Sequence, residues 1–581
     1  MAKNNKYANY SREELIDELE TLKKKKYGLV WDKKNSQEIL DAFVNWENVP
    51  ENFMPKQFPV LKEVKNKEIE TDRSKPTNLL IEGDNYHSLA VLNFTHQNKI
   101  DVIYIDPPYN TGNKDFIFND TFFDKKGPKF VDKEDPWRHS KWLSFMEKRL
   151  RLAKNLLKKS GVIFISINDI ELAQLKMLCN EIFDENNFIG TLIWRKKEGG
   201  GQADAYFATE HEYILVYAKS DSFKWLDEEI PVEEAGFNKE DKNGKFTAVK
   251  LAKWGNTAKR EDRPKMYFSI KSPDGSNIYP IAPDGGDGRW RVGKKRMDMI
   301  IDKNLIYWQE KEKKWVPYEK IYFNEGELKK IKERSILFDL ATTADGTNEL
   351  THIFGEKDIF QNPKPTELIK FFLMYGAKSD AIVLDFFAGS GTTAQAVLSL
   401  NKEDKGNRKF ILCTNDEELD NNGNSTKHKI CTDVCYPRIK KIINGYKNSK
   451  GENISSLGGN LKYFKTDFVG SDSTDKNKRD LVNKSVEMIC IKEDIFDLIV
   501  DEGFDFKIYQ KGKRFLGVIF ELGAIADFKK EAEKHKGNFV IYCFSYNEVA
   551  PEEKFNDMKN KYVLKPIPAV ILRIYLEIFK K

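Results

Sequence analysis

The residues with the clearest chemical potential are Asp106-Pro107-Pro108-Tyr109, which follow the apolar run of residues 103–105. An apolar, β-branched run predicts a buried strand of a parallel sheet, and tandem prolines end its pairing with neighbouring strands. Asp106 and Tyr109 should therefore project beyond the carboxyl end of that strand, where open α/β sheets bind their ligands. The same tetrapeptide also fits an ordinary turn, so taken alone it leaves a purely structural interpretation open.

A second stretch, residues 381–400, predicts a strand, a glycine loop and a helix. Its loop reads Asp385-Phe386-Phe387-Ala388-Gly389-Ser390-Gly391, and such glycines let a ligand approach the backbone N–H groups at the start of a helix. The loop lacks the third glycine of a dinucleotide fingerprint and the Gly-Lys-Ser/Thr of a P-loop. By itself it fits many kinds of nucleotide site.

Apolar strands alternate with helices around both motifs. The pattern before residue 220 predicts strands at 78–84, 103–105, 161–167, 192–194 and 211–217, and helices at 87–96, 137–159 and 170–183. The same texture returns at residue 359, with a helix after Pro363-Lys364-Pro365, strands before Asp385 and at 410–417, and a helix at 430–446. This alternation predicts a doubly wound α/β fold. Residues 450–480 predict a polar connection that contains a short strand at 458–464.

Basic and aromatic residues are interleaved between about residues 220 and 350, where short strands and turns replace the long apolar runs. Nucleic acids use both kinds of side chain, since cations neutralise phosphates and aromatic rings stack on bases. In the alternative interpretation the aromatics form the core of a small β-rich insert and the charges are solvated. The candidate DNA-binding cations are Lys253, Lys259, Arg260, Arg263, Arg289 and Arg291.

The composition limits the class of protein. With 581 residues the chain should form about three or four domains. Its 96 Lys and Arg against 91 Asp and Glu leave a net charge of +5, which by itself says little about a polyanionic partner. No apolar run is long enough to cross a bilayer, and Met1 to Lys6 lack the apolar core of a signal peptide, so we expect a cytoplasmic protein.

The remaining patterns are structural. Residues 11–26 predict an amphipathic helix, and residues 569–579 predict another at the end of a small α/β module. Cys431 and Cys435 lack the second pair of ligands that a zinc site needs, and the seven histidines show no ligand spacing. We therefore predict reduced core thiols and no metal.

The two motifs together, with Asp106-Pro107-Pro108-Tyr109 first and the glycine loop second, resemble the permuted β class of the amino-methylating, S-adenosylmethionine-dependent DNA methyltransferases. Over residues 25–470 the wider spacing is similar to that of the modification (Mod) subunits of type III restriction-modification systems. The resemblance implies a doubly wound, circularly permuted Rossmann-like methyltransferase sheet with an inserted β-rich target recognition domain. The implied domains are an N-terminal helical arm (1–75), the catalytic half (76–220), the recognition insert (221–350), the cofactor-binding half (351–468) and a small α/β C-terminal module (469–581).

The resemblance also implies roles for the catalytic residues. An exocyclic amine is a poor nucleophile because its lone pair is delocalised into the ring. The Asp106 carboxylate and the Pro107 carbonyl would accept hydrogen bonds from that amine, with Pro107 and Pro108 keeping the loop rigid. Tyr109 would stack on a base flipped out of the duplex. No metal or covalent intermediate is needed.

The cofactor residues implied by the resemblance come from several loops. The glycine loop would admit the methionine part of S-adenosylmethionine, with Asp385 placed for its amino group. Lys364 and Thr366 match the neighbouring segment that covers the methionine end. Asp84 is a candidate contact near the cofactor adenine. Asp416 and Glu417 both qualify as the acid that binds the ribose, and Glu417 is preferred. The full set is Asp84, Lys364, Thr366, Asp385, Phe387, Ala388, Gly389, Gly391 and Glu417.

These residues predict N6-adenine methylation of duplex DNA. N4-cytosine methylation is the closest alternative, because cytosine presents a similar conjugated amine. The others are a non-catalytic DNA-recognition subunit, a dinucleotide oxidoreductase, in which Asp-Pro-Pro-Tyr has no role, and a protein glutamine methyltransferase, whose motif usually begins with asparagine. The type III resemblance implies a homodimer and a restriction partner with helicase and nuclease activities, and it does not identify the DNA sequence recognised.

Overall fold

The structure is a computed structural model that describes residues 57–112, 117–118, 129–135, 138–199, 206–226, 228–231, 234–325, 328–357, 359–418, 428–470, 474–545 and 549–573. The predicted helix at 11–26 lies outside these residues. The described parts of 1–226 and 334–581 form one compact unit, and those of 227–333 form another.

The first unit is built on a ten-stranded mixed sheet. In chain order its strands are β1 (Gln57–Glu63), β2 (Thr77–Glu82), β3 (Ile100–Ile105), β4 (Leu157–Ile167), β5 (Phe188–Arg195), β6 (His211–Ala218), β7 (Ile336–Leu337), β8 (Ile382–Asp385), β9 (Lys409–Thr414) and β10 (Asn460–Gly470). Their order across the sheet is β1-β10-β2-β9-β8-β3-β4-β6-β5-β7. The strands from β10 to β4 are parallel, whereas β1 and β6 run antiparallel to their neighbours.

Helices cover both faces of this sheet, as a doubly wound fold requires. They are α1 (Asn85–His96), α2 (Arg138–Leu156), α3 (Leu172–Phe183), α4 (Thr343–Phe354), α5 (Thr366–Gly376), α6 (Thr392–Asp404) and α7 (Tyr436–Asn444). Helices α1, α2 and α3 share one buried core, whose members include Leu92, Leu150 and Leu178. Helices α5, α6 and α7 contribute to a second core that contains Phe372 and Val397.

The two motif strands, β3 and β8, are direct neighbours in the centre of the sheet. They pair in parallel, with Val383 beside Val102 and Leu384 beside Ile103. Because the carboxyl ends of parallel strands meet at one edge, the loops that begin at Asp106 and after Asp385 emerge side by side. Two stretches almost three hundred residues apart therefore contribute to one site.

Two elements differ from the sequence-based prediction. Helix α2 ends at Leu156 and not at residue 159, because Leu157–Lys159 already belong to β4. Strand β10 spans eleven residues, whereas the sequence predicted only a short strand in a polar connection. Polar residues such as Lys462, Lys465 and Asp467 interrupt its apolar residues, so the sequence shows no clear strand pattern. The strand nevertheless pairs with β1 on one side and β2 on the other.

The C-terminal part contains helices α8 (Asp475–Lys484), α9 (Val486–Glu493) and α10 (Ile525–Ala532) and a five-stranded sheet. The strands, which are adjacent in chain order, are β11 (Asp497–Asp501), β12 (Phe506–Lys511), β13 (Arg514–Ile519), β14 (Asn538–Phe544) and β15 (Tyr562–Ile567). Residues of α8, α9, β13 and β14 join the core shared by α1 to α3. The C-terminal module is therefore packed onto the ten-stranded sheet through this shared core. The predicted final helix is described only as far as residue 573.

The second unit, residues 227–333, contains a four-stranded antiparallel sheet in the order Lys239–Asp241, Gly244–Lys250, Lys314–Tyr322 and Ile306–Lys311. Its helix, Lys294–Asp302, contributes Met297 and Ile300 to a core around Trp290 and Leu251. Two shorter strand pairs and several single turns complete a small β-rich body. The strands of the two remaining pairs are Glu228–Pro231 with Leu328–Ile331 and Ile270–Lys271 with Asn277–Ile278.

This unit is narrower than the predicted insert of 221–350. On the amino-terminal side, Trp225 stacks on Tyr375 of the first unit at 5.6 Å between ring centroids. On the carboxyl side, the Ile193 N–H donates to the Ser335 carbonyl at 2.8 Å, as β7 adds to the edge of the sheet. Among the described residues, no helix is both long and apolar enough to cross a membrane.

Candidate active site

The loop after β3 is held by buried polar contacts. The Trp142 indole N–H donates to the Pro108 carbonyl at 2.7 Å. Asn110, which is fully buried, has a left-handed backbone with φ of 57° and donates from its side-chain amide to Glu171 Oε1 at 2.5 Å. No group among the described residues donates to the Pro107 carbonyl, so that acceptor is available to a ligand. The loop is therefore fixed from behind.

Asp106 belongs to a cluster of five side chains. The Lys364 ammonium donates to Asp106 Oδ1 at 2.9 Å and to Oδ2 at 2.8 Å, and lies 3.1 Å from the Tyr109 hydroxyl. The Tyr109 hydroxyl lies 2.8 Å from Asp106 Oδ1 and 3.1 Å from Glu212 Oε2. Glu212 in turn lies 3.3 Å from the Lys364 ammonium and accepts from Lys196 at 3.0 Å. The cluster holds two carboxylates and two ammonium groups.

Burial and neighbouring charges set the protonation states of Tyr109, Lys364 and Glu212. Burial raises the pKa of Tyr109 well above its usual value, and the Asp106 and Glu212 carboxylates raise it further. Burial alone would lower the pKa of Lys364, but the same two carboxylates outweigh it and raise that pKa. Burial would raise the pKa of Glu212, but Lys364 and Lys196 lower it overall. The phenol is neutral, and Lys364 and Glu212 are charged, at neutral pH.

Lys364 makes a side-chain contact that the resemblance did not imply. Its ammonium contacts Asp106, while its backbone carbonyl accepts from the Thr392 hydroxyl at 3.1 Å, directly after the glycine loop. Sequence reasoning assigned Lys364 to the methionine end of the cofactor and missed Glu212 and Lys196 altogether. The one available signal was an acid, Glu212, at the start of an otherwise apolar strand, which is costly unless it has a partner.

The glycine loop is organised around the buried carboxyl of Asp385. The Thr393 hydroxyl donates to Oδ2 at 2.6 Å and the Phe387 N–H donates to Oδ1 at 3.0 Å. Burial raises the pKa of this carboxyl to about 7, although both hydrogen bonds lower it. A nearby cation would stabilise its charged form, so the site suits the ammonium group of a methionine moiety.

Close packing explains the glycines of this loop. Gly389 and Gly391 have positive φ values of 50° and 81°. A Cβ atom at Gly389 would approach Phe360 Cζ to 3.0 Å, and one at Gly391 would approach Cys435 Sγ to 3.1 Å. The Ala388 N–H donates to the Cys413 carbonyl at 3.2 Å. The loop thus brings backbone to the sheet edge where a side chain would not fit, and the residues fit S-adenosylmethionine.

A buried arginine supports the glycine loop from the other side. The Arg438 guanidinium, which has no exposed surface, donates to the Ser390 hydroxyl at 3.1 Å and to the Thr392 hydroxyl at 2.8 Å. It also pairs with Glu349 at 3.3 Å, and Glu349 accepts from the Thr366 hydroxyl at 2.5 Å. The predicted cofactor residue Thr366 is therefore engaged in a supporting network. Sequence reasoning missed Arg438 and Glu349, which follow no pattern.

Three candidate cofactor acids, Asp84, Asp416 and Glu417, follow the carboxyl ends of β2 and β9. Asp84 caps α1 by accepting from the Tyr86 N–H at 2.8 Å and pairs with Arg149 at 3.2 Å. Asp416 is committed to the Thr432 backbone and hydroxyl, at 2.8 and 2.9 Å. Glu417, in contrast, is exposed. This supports Glu417 over Asp416 as the ribose acid.

The predicted DNA-binding cations differ in their surroundings. Arg289 is only 6% exposed and donates to the Thr257 carbonyl at 2.5 Å, so its guanidinium is committed inside the unit and that prediction is corrected. Lys259 pairs with Asp284 at 2.9 Å, and Arg260 with Asp287 at 3.1 Å. Arg263 and Arg291 are exposed and Lys253 is half-buried, and none of the three forms an ion pair within the described residues.

Exposed aromatic residues lie among these cations. The alternative interpretation, in which the aromatics form the core of the insert, did not predict this exposure. Trp254 is 59% exposed, with the Lys250 ammonium 4.1 Å from its ring centroid. Tyr267 stacks on Tyr279 at 5.1 Å. Trp290, in contrast, belongs to the core. Within the described ranges, no cluster of three His, Cys, Asp or Glu residues could hold a metal.

Comparison with known proteins gives matches over both motif loops. The N6_N4_Mtase family model, described as DNA methylase, matches residues 100–421. The Mod subunit of the type III restriction-modification enzyme EcoPI from Escherichia phage P1 is 33% identical over 489 residues, covering 77% of this chain and 72% of its own. The type II methyltransferase M.KpnI from Klebsiella pneumoniae is 34% identical over 406 residues, covering 67% and 90%. The solved M1.HpyAVI-SAM complex is 14% identical, with a TM-score of 0.26 and coverages of 58% and 94%.

Proposed function

The chain belongs to the N6/N4 family of DNA methylases, and from this premise we propose that it methylates the N6 amine of an adenine flipped out of duplex DNA. It is an S-adenosylmethionine-dependent DNA methyltransferase of the type III Mod kind. The observation that carries the proposal is the parallel pairing of β3 with β8, which brings the Asp106 loop beside the glycine loop.

The residues of this chain would act by binding and orientation. The Asp106 carboxylate and the free Pro107 carbonyl accept hydrogen bonds from the amine, which favours a pyramidal nitrogen with an available lone pair. The Tyr109 ring stacks on the flipped base, while Trp142 and Asn110 keep the loop rigid. When bound, S-adenosylmethionine supplies an electrophilic methyl group on its sulfonium.

The cofactor residues would divide that molecule between them. The Asp385 carboxylate receives the amino group, and the backbone of Phe387, Ala388, Gly389 and Gly391 lines its methionine part. Glu417 would accept from the ribose hydroxyls, and Asp84 would contact the cofactor near its adenine. Lys364 and Thr366 would cover the methionine end, and their side chains also support the two loops.

Nucleoside analysis tests the proposed reaction. Purified protein is incubated with unmethylated duplex DNA and labelled S-adenosylmethionine, and the DNA is digested to nucleosides. We expect labelled N6-methyladenine. N4-methylcytosine in its place would assign the cytosine amine to the same site. An absence of any labelled nucleoside, together with normal DNA binding, would support the non-catalytic alternative.

The predicted DNA-binding cations that have no acidic partner among the described residues should contribute most to DNA affinity. Replacing Lys253 and Arg263 by alanine should weaken binding and reduce the slope of log K against log salt by about 2, because each phosphate contact releases about one counterion. The matched control is Arg260→Ala, whose guanidinium is already paired with Asp287, and it should change the slope less. Fluorescence anisotropy over a salt series measures this, and an unchanged slope in the double variant would return the insert to a purely structural role.

The partners follow from the same family. Type III Mod subunits work with DNA and with a restriction subunit, and we propose that this chain does so as a homodimer. Light scattering of the purified protein alone tests the dimer, which a monomeric mass at micromolar concentration would contradict.

A further inference from the structure

The Lys364 ammonium occupies the carboxylate that the proposed reaction requires. It is 9% exposed and contacts both oxygens of Asp106, at 2.9 and 2.8 Å. If the target amine is to be held by Asp106, this contact competes with it, because a carboxylate saturated by an ammonium is a weaker acceptor for a neutral amine. Some group must therefore draw Lys364 away from Asp106.

Glu212 is the only other carboxylate within ion-pair distance of Lys364 in the described part of the chain. Its Oε2 lies 3.3 Å from the ammonium and 3.1 Å from the Tyr109 hydroxyl, while Lys196 holds its Oε1 at 3.0 Å. Glu212 is 10% exposed, so its charge acts in a poorly solvated environment. It contacts both of the side chains that bond to Asp106, Lys364 and Tyr109, and it lies on β6, which β4 separates from β3 in the sheet.

We propose that Glu212 is a positioning residue, which draws the Lys364 ammonium and the Tyr109 hydroxyl toward itself so that Asp106 can accept the target amine. This inference rests on the proposed function. Glu212 acts through Lys364 and Tyr109 and does not touch the substrate. Lys364 holds the Asp106 carboxylate in place before DNA binds, and Glu212 receives the ammonium when the amine arrives.

The charge count gives this proposal a sharp consequence. With Asp106, Glu212, Lys364 and Lys196 the cluster is neutral. In Glu212→Gln the carboxamide oxygen still accepts from Tyr109, but the variant loses the negative charge that competes for Lys364. The ammonium then binds Asp106 alone, and the target amine has to displace it. Removing Lys364 as well should leave Asp106 free to accept the target amine and should restore part of the activity.

Four variants test the inference under saturating DNA and cofactor. Glu212→Gln should lower kcat by about 10-fold or more, with unchanged affinity for S-adenosylmethionine. Lys364→Met should have a smaller effect, and the double variant should be faster than Glu212→Gln, which is a coupling that two independent defects cannot produce. Glu212→Asp, which keeps the charge, should recover part of the loss. The matched control is Glu198→Gln. This variant removes an exposed acid whose ion-pair partner, at 2.6 Å, is Arg195.

The outcomes separate this inference from the proposed function. If the wild-type protein and Glu198→Gln transfer no methyl group to DNA, the proposed function itself fails. If they are active and Glu212→Gln has the wild-type kcat, the positioning role is wrong. A double variant slower than Glu212→Gln, or a Glu212→Gln protein that loses cofactor affinity and thermal stability together with activity, would assign Glu212 to structural support.

Discussion

Replacing Asp106 by alanine should abolish methyl transfer and leave the affinity for S-adenosylmethionine nearly unchanged. Asp106 lies at the end of β3, whereas the glycine loop follows β8 and has its own supports in Thr393 and Arg438. The alanine variant removes the acceptor that orients the amine, and losses of about 100-fold to 10,000-fold are typical when such a group is deleted. Transfer of label to DNA and calorimetric titration of the cofactor measure the two quantities separately.

The fold offers a matched control on the same strand. Asp101, at the other end of β3, accepts from the Lys158 ammonium at 2.7 Å and from the Ile382 N–H at 2.9 Å. Asp101→Asn can retain an acceptor for both contacts and should keep full activity. Asp106→Asn should remain strongly impaired, because a neutral amide is a weaker acceptor than a carboxylate. Activity in Asp106→Ala close to that of the wild type would remove this residue from the mechanism.

Replacing Asp385 should have the largest effect on cofactor binding, and the wild-type affinity should depend on pH. Burial raises the pKa of this carboxyl to about 7 from an ordinary value of 3.8. Below about pH 7 the free protein holds the proton, and a cationic amino group must expel it in order to bind. The association constant should therefore fall by up to about tenfold for each pH unit below that pKa.

The same pKa fixes the sign of the effect on folding. Between about pH 4 and pH 7 the folded, cofactor-free protein holds a proton on Asp385 that the unfolded chain has lost. Because only the unfolded chain releases this proton in that window, the free energy of unfolding falls as pH rises from about 4 to about 7, and the bound cofactor should offset the loss. Asp385→Asn removes the carboxyl, so any pH dependence of affinity that remains in this variant comes from titration of the cofactor's own amino group. An affinity with the same pH dependence in wild type and Asp385→Asn would exclude Asp385 as the partner of that amine.

The network behind the glycine loop explains why binding and chemistry can be separated. Arg438 connects Ser390 and Thr392 to Glu349, and Glu349 connects to Thr366 at the start of α5. These contacts lie on the side of the sheet that carries α5 to α7, whereas the Asp106 loop is held by Trp142 and Asn110 on the other side. Changes to one support should leave the other intact.

The amino-acid sequence by itself determined the fold class and the two reactive loops. Apolar β-branched runs, tandem prolines and paired glycines carry local information, because they restrict backbone geometry wherever they occur. That was enough to place Asp106 and Asp385 at strand ends, and the resemblance of the pair led to the family to which the chain belongs. The polar, alternating β10 was predicted as only a short strand, since its place depends on pairing with β1 and β2.

Only the tertiary structure decided which charges meet. Lys364 and Glu212 lie far from Asp106 in the chain, and no local pattern shows that the Lys364 ammonium lies 2.8 Å from Asp106 and 3.3 Å from Glu212. Arg289 looked like the other basic residues of the insert, but folding buried it against Thr257. Side-chain partners at long range depend on strand order and burial, which a single sequence does not encode locally. The loops could be predicted from residue type, whereas their electrostatics required the fold.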